Sequence, residues 1–417
     1  MKTKIVFSIL ICLAAASNVD AAAANNTAVK KSITTGNLDR FLSSAVSDFK
    51  VTLQEKNERQ FGSGIGLNPI EGVQFRVAQN ETIQDRKYSL QIKPKGFTQM
   101  KLMSSLNSGA GRIERLNSQK AMTDALLERY LAASDFVNSA EALRIWTEIA
   151  SLRSKRLSML QAAARSSAAR AMDLINQRQK LEEAEVEQGL ALSAKQAAVI
   201  KLKSLDSSFT EPDAVVSDLP TPTDMLRVIS ATPSTSFNAS LATEEAKRAS
   251  DSLMYQAAAD SRLIEFVELN YDQFNYGKQF GFRVAINLPG FSGGDSAQSE
   301  KTRKLVKLEV EAREAQRADQ NAQSKARESV ARAADLYKAM DALEARPSEA
   351  RMRRLIQQQD PVLAVTLQED LLKRNLRRVE VSSKAFESYF SFLATSGTLA
   401  ARPKTNFLSR DLHELPL

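Results

Sequence analysis

From Thr98 to Leu205 the chain has no proline and only three glycines, Gly109, Gly111 and Gly189. A stretch so free of turn residues reads as helix. It is too long for one helix of a compact domain, so it must fold back on itself. The weakest point is Ala164-Arg165-Ser166-Ser167-Ala168-Ala169-Arg170, a patch of small and polar residues. The sequence therefore predicts a helix from Thr98 to Ala164 and a return helix from Ala171 to Leu205. At 1.5 Å per residue the first is on the order of 100 Å long. Helices of that length and polarity cannot bury themselves within one chain, and lateral packing into a ring answers the problem. With 15 Gly, 11 Pro and 6% aromatic residues in 417, a many-turned all-β or α/β enzyme is disfavoured.

Strand signals precede this helix. Val73, Phe75 and Val77 alternate with Gln74 and Arg76; Tyr88, Leu90 and Ile92 alternate with Ser89, Gln91 and Lys93. With the polar loop Gln79–Lys87 between them they form a hairpin, 73–94, with one apolar and one polar face. A helix from about Asn37 to Gln60 leads into it. The whole order then recurs. A helix is expected from Asn238 to about Leu263, and Val267, Leu269 and Tyr271 alternate with polar residues. After a loop, Gln273–Lys278, come Phe280, Phe282, Val284, Ile286 and Leu288 on one side, with Gly281, Arg283, Ala285 and Asn287 on the other. That strand has the length of a tilted bilayer-crossing strand. A helix starting at Asp295, capped with Gln298, runs to about Gln357 with a break at Pro347. The return helix begins at Pro361, a residue suited to a first helical turn. Its Val365, Leu372, Leu376, Val379, Phe386, Phe390 and Leu393 make a heptad seam, with Glu369 and Ser383 in its two apolar gaps.

The copies keep step. Pro94 and Pro289 lie 195 residues apart, Gly96 and Gly290 as well as Phe97 and Phe291 lie 194 apart, and Ala171 and Leu174 lie 193 from Ala364 and Leu367. Near-constant spacing across strand ends and helix turns implies duplication of a whole unit. The organisation is thus 37–206 for the first repeat (hairpin 73–94, helices 98–205), a linker 207–237, 238–398 for the second repeat (hairpin 266–289, helices 295–393), and a tail 399–417.

The N-terminus adds a location. Lys2 and Lys4 precede an apolar run, Ile5–Ala16, and Val19-Asp20-Ala21 offers a cleavage point. This is the order of a secretory signal peptide, 1–21, followed by a flexible lead-in, 22–36. Cleavage removes Lys2, Lys4 and Asp20, so the net charge falls from +8 to +7, and Cys12, the sole cysteine, goes too. An exported chain with neither disulfides nor a segment of roughly 20 apolar residues fits a Gram-negative periplasm or outer membrane. Lys and Arg are dispersed beside Glu and Asp, which reads as solvated helix faces and not as a nucleic-acid surface.

With these elements in hand, the chain resembles the TolC family of outer-membrane efflux proteins over roughly 37–398. Phe280–Leu288 followed by Pro289-Gly290-Phe291-Ser292-Gly293-Gly294 resembles the family's strand and Pro-Leu-Phe-x-Gly-Gly turn, with Gly290 at a usually bulky position. Met172-Asp173-Leu174 and Val365-Thr366-Leu367 resemble its hairpin tips. The resemblance implies a mainly α fold with a membrane β-barrel part. Three chains would give a trimeric α-barrel and a 12-stranded β-barrel, four strands per chain. It also implies a periplasmic adaptor, or membrane fusion protein, an inner-membrane pump and no cofactor. The function implied is a conduit for tripartite efflux or type I secretion.

On that reading Phe75, Val77, Leu90, Ile92, Phe282, Val284 and Ile286 face outer-membrane lipid, and Gln74, Arg76, Lys93, Arg283 and Asn287 face the lumen. The plainer alternative is one face of a half-buried sheet. Arg165, Arg170, Asp173, Arg354, Gln358 and Asp360 fall at the periplasmic tip, where the family is gated; the alternative is a tight turn with capping residues. Other candidates are weak. Gly62-Ser63-Gly64-Ile65-Gly66 lacks the following Lys-Ser/Thr of a phosphate loop. Glu182-Glu183 and Glu244-Glu245 lie on polar helix faces, Trp146 is a packing residue, and His413, the sole histidine, sits in the tail. Without cysteine or a second histidine, thiol or histidine-based catalysis and Cys/His metal sites have no residues to use. The rival function is a periplasmic coiled-coil adaptor or tether without a pore. Its single helical hairpin contrasts with the two expected here.

Overall fold

The computed structural model describes residues 37–62, 69–80, 85–163, 169–211, 218–233, 235–260, 263–274, 277–286, 295–345 and 361–416. The elements are α1 (Phe49–Gly62), β1 (Ile70–Asn80), β2 (Asp85–Pro94), α2 (Phe97–Ala163), α3 (Ala169–Leu205) and α4 (Pro222–Ala231). They continue with α5 (Phe237–Asp260), β3 (Ile264–Phe274), β4 (Gly277–Ile286), α6 (Asp295–Glu344), α7 (Pro361–Thr395) and α8 (Thr398–Ala401). The order helix, strand pair, long helix, return helix occurs twice. The chain divides into two units. One takes in Met1–Val51, Met122–Thr235 and Asn321–Leu417, the other Thr52–Ala121 and Ser236–Gln320.

The unit of Thr52–Ala121 and Ser236–Gln320 carries the sheet. All four strands pair antiparallel in chain order, β1-β2-β3-β4. Both hairpins are longer than apolar alternation marks them, because the ladder continues through polar partners: Gln79 with Arg86, Asn80 with Asp85, Gln273 with Lys278. The helices beside the sheet are tied by polar side chains. Gln54 donates to Glu114 at 2.8 Å, Ser105 to Asp251 at 2.6 Å and Arg112 to Glu244 at 2.9 Å. Asp319 of α6, buried, closes the N-terminus of α5. It accepts from Ser236 Oγ (2.6 Å), Asn238 N (3.0 Å) and Asn238 Nδ2 (2.8 Å). A carboxylate at a helix N-terminus satisfies orphan N–H groups and opposes the dipole.

The other unit holds the aromatic core. Ile145, Ile149 and Leu152 of α2, Ala184 of α3 and Leu372 of α7 form one cluster. Trp146, Val365, Leu376 and Val379, partly buried, pack against it, so Trp146 does serve packing and the α7 seam faces this core. Tyr130, Phe386, Phe390 and Phe407 form a second cluster, with Tyr130 stacked on Phe390 at 4.8 Å. Three regions differ from expectation. The helix expected over 37–60 breaks. A turn of 3-10 helix, Ser44–Ser47, ends at Asp48 (ψ 136°), whose side chain accepts from Lys50 N at 3.0 Å and starts α1 anew. The expected linker 207–237 contains α4, started by a capping box in which Thr221 and Asp224 exchange hydrogen bonds. The tail after 401 is packed, burying Phe407, Leu408 and Leu415.

Candidate functional site

Alternation gives each strand two faces, and the register aligns them across the sheet. Three rows cross one face: Val73–Ile92–Val267–Val284, Phe75–Leu90–Leu269–Phe282 and Val77–Tyr88–Tyr271–Phe280. Ring contacts from Phe75 to Tyr88 (6.4 Å), Tyr88 to Tyr271 (6.1 Å) and Tyr271 to Phe280 (4.8 Å) run through all four strands. This face is open: Phe280 is 81% exposed, Phe282 67% and Phe75 65%.

The opposite face is polar. Its rows are Gln74–Gln91–Glu268–Arg283, Arg76–Ser89–Asn270–Gly281 and Ala78–Lys87–Asp272–Gln279. Arg283 approaches Glu268 at 3.9 Å, Lys87 approaches Asp272 at 3.5 Å, and Arg76 donates to Gln74 at 2.9 Å. Ser89 and Gln91 are buried on this side. Within one chain the sheet is therefore inverted relative to a water-soluble one, with its large apolar groups outside and part of its polar row covered. An isolated chain has no means to hide roughly a dozen apolar side chains on such a face. Strands of 10 and 11 residues match the span of a tilted membrane strand. Among the described residues β1 and β4 are the outer strands, each with a strand on one side only, and lipid does not tolerate open sheet edges.

The structure places Phe75, Val77, Leu90, Ile92, Phe282, Val284 and Ile286 together on the apolar face. Gln74, Arg76, Lys93 and Arg283 lie together on the polar one. Asn287 lies outside the described residues. Of the tip set, Arg170 and Asp173 lie in the first turns of α3, with Asp173 exposed. Arg165, Arg354, Gln358 and Asp360 lie outside the described residues, as does the Pro289–Gly294 turn. Among the described residues no cluster of His, Cys, Asp and Glu could hold a metal.

Three polar sites have no sequence signal. Arg153 of α2, 5% exposed, donates from Nε (3.0 Å) and Nη2 (2.9 Å) to Glu369, which fills a gap in the α7 seam. A third bond goes to the Lys180 carbonyl of α3. Burial disfavours ionisation of Glu369, but bonds from Lys373 and Arg153 outweigh it and hold the carboxyl below its usual range. Arg129, 3% exposed, binds Asp48 at 3.2 Å and the carbonyls of Ala125 and Leu205. The tail is anchored by Tyr130, whose hydroxyl donates to Thr405 O (2.8 Å) and accepts from Phe407 N (3.1 Å); burial pushes that phenol far up. His413, expected in a surface tail, is held 3.0 Å from Asp39, which also accepts from Asn406 at 2.7 Å.

No family model matches the sequence, and no curated protein matches it. Solved structures do. The MtrE outer membrane channel of Neisseria gonorrhoeae in its open state aligns over 91% of this chain and 91% of its own, with TM-score 0.58 and 13% identity. The outer membrane protein VceC of Vibrio cholerae aligns over 86% and 96%, with TM-score 0.57 and 14% identity. The CmeC outer membrane channel of Campylobacter jejuni aligns over 87% and 85%, with TM-score 0.55 and 12% identity. At such low identity the likeness concerns architecture: this chain has the fold of the TolC-like outer-membrane channels.

Proposed function

We propose that this chain is the outer-membrane channel of a tripartite efflux or type I secretion system. It acts as a homotrimer, performs no chemistry and needs no cofactor. The observation that carries the proposal is the inverted sheet: an exposed aromatic and aliphatic face backed by a paired polar one. Three such sheets, joined edge to edge, close a 12-stranded barrel. Closure removes the open edges of β1 and β4, puts the apolar rows against lipid and the polar rows around water. Phe75, Val77, Leu90, Ile92, Phe282, Val284 and Ile286 are then the lipid-facing set. Gln74, Arg76, Lys93, Arg283 and Asn287 line the lumen and bias permeating ions. The signal peptide, 1–21, takes the chain out of the cytoplasm. The long helices project into the periplasm, where an adaptor and an inner-membrane pump dock, and Arg165, Arg170, Asp173, Arg354, Gln358 and Asp360 contribute to closing the tip.

Light scattering with negative-stain microscopy of the detergent-extracted protein tests the reading. The expected result is three chains in a hollow tube about 100 Å or more long, as the helix rise requires. A water-soluble monomer or a solid rod refutes it. In planar bilayers Asp360→Ala should raise closed-state conductance; an unchanged conductance removes Asp360 from the gate.

A further inference from the structure

At the end of the sheet where the helices attach lies a cavity of about 410 Å³, within the size range of small-ligand sites. Lys95, Gly96, Phe97 and Gln99 wall it at the corner between β2 and α2, and Leu263 and Ile264 wall it at the start of β3. Gln99 is fully buried, at 0% exposure. Its Oε1 accepts the Gly96 N–H at 2.8 Å. That bond fixes the orientation of the amide, because the reverse orientation would set two donors against each other. Among the described residues the Nε2 group is left buried without a hydrogen-bond partner, a costly state for a strong donor unless a ligand supplies an acceptor.

The surroundings state what that acceptor is. Gly96 caps α2, whose first turn closes with Met100 N bonding Gly96 O at 3.0 Å. The N–H groups of Phe97, Thr98 and Gln99 come before that bond. They form the positive end of a 67-residue helix. Lys95 also lines the cavity, with its ammonium 3.1 Å from the Met103 sulfur. A thioether is a weak acceptor, and an ammonium has three donors. Among the described residues no acidic side chain lines the cavity. The Thr98 hydroxyl can donate or accept, and the other polar side-chain groups without a strong acceptor, Gln99 Nε2 and the Lys95 ammonium, are donors. Beside this polar part stand Phe97 and Leu263, 82% and 62% exposed. An anion alone has no use for that apolar flank, whereas an anionic amphiphile uses both parts.

We propose that the cavity binds the phosphate of a phospholipid, with an acyl chain laid along Phe97 and Leu263. The proposal rests on the barrel reading, which sets this end of the sheet at the boundary of the periplasmic leaflet.

Native mass spectrometry of the delipidated, detergent-extracted full chain tests it, with phosphatidylglycerol, uncharged diacylglycerol and inorganic phosphate as probes. Phosphatidylglycerol should bind at least about tenfold more tightly than diacylglycerol or inorganic phosphate, since neither alone offers both parts of the ligand. Gln99→Glu keeps the acceptor for Gly96 N–H and replaces the free donor with an anionic oxygen. It should weaken phosphatidylglycerol about tenfold while leaving diacylglycerol unchanged. Lys95→Gln should weaken it severalfold and carries the test if Gln99→Glu does not fold. Phosphatidylglycerol affinity unchanged in both variants, or inorganic phosphate bound as tightly as the lipid, overturns the lipid site. Those results, obtained with a chain that extracts from outer membranes only in detergent, leave the barrel standing. A chain released by salt alone overturns both.

Discussion

Arg153 and Glu369 meet in the packed interior of α2, α3 and α7, each 5% exposed. Glu369→Leu removes the acceptor of two guanidinium bonds at 3.0 and 2.9 Å. What remains for Arg153 is the Lys180 carbonyl and a distant approach, 4.0 Å, from the exposed Glu183. Breaking one partner of a buried pair costs about 3–5 kcal/mol, because a charge is left uncompensated. Lys373 also loses Glu369, but its side chain is 47% exposed and turns to water, adding about 0–1 kcal/mol. In a cooperative unit of this size the loss lowers Tm on the order of 10 °C. The double variant Arg153→Met, Glu369→Leu replaces the ions with apolar side chains and should recover most of it. The assay is the thermal loss of helical circular dichroism in detergent for the two single variants and the double. A Glu369→Leu midpoint within about 1 °C of wild type refutes the reasoning, as does a double variant no better than the worse single one.

Other outcomes follow from the same geometry. Because the folded-state carboxyl of Glu369 titrates below the ordinary 4.5, its contribution is present above about pH 4.5 and is lost as pH falls through the depressed value; Glu369→Gln should flatten the acid limb of the stability profile, and an unchanged slope contradicts this. Tyr130→Phe strands Thr405 O and Phe407 N and should cost about 1–3 kcal/mol, seen as faster tryptic cleavage after Lys404. Phe282→Arg should cost about 2–4 kcal/mol of membrane stability and lower the carbonate-resistant fraction, while Gln74→Arg on the polar face leaves that fraction unchanged. Thr221→Ala removes the cap of α4 at about 1 kcal/mol, read from urea unfolding.

The parts legible in the sequence are those with a short period. Alternation around Phe75 and Phe282 needs only a repeat of two, and the structure keeps those faces. The α7 seam and its start at Pro361 follow from heptad spacing and proline chemistry. What sequence reasoning missed is non-local or masked. Arg153 finds Glu369 across 216 positions and Tyr130 finds Thr405 across 275, separations that no periodicity reports. The signal for α4 was present in Thr221-Pro222-Thr223-Asp224, but it was submerged in a Pro, Ser and Thr rich stretch. Asp48 sits in a helical pattern, and its role as a new helix start is clear only once Lys50 N is seen bonded to it.

The two-faced sheet also bears on how such a chain reaches its destination. In β4, Phe280, Phe282 and Val284 are separated by Gly281 and Arg283, so half of each strand is polar or small while it is unpaired. An extruded strand of this kind offers a translocating bilayer no continuous greasy stretch to retain it. Its affinity for lipid is written across strands, in rows such as Phe75, Leu90, Leu269 and Phe282, and comes into being only when those strands zip together. On the channel reading, folding itself is the address label. The first membrane meets a harmless thread, and only the assembled sheet has a surface that the second can hold.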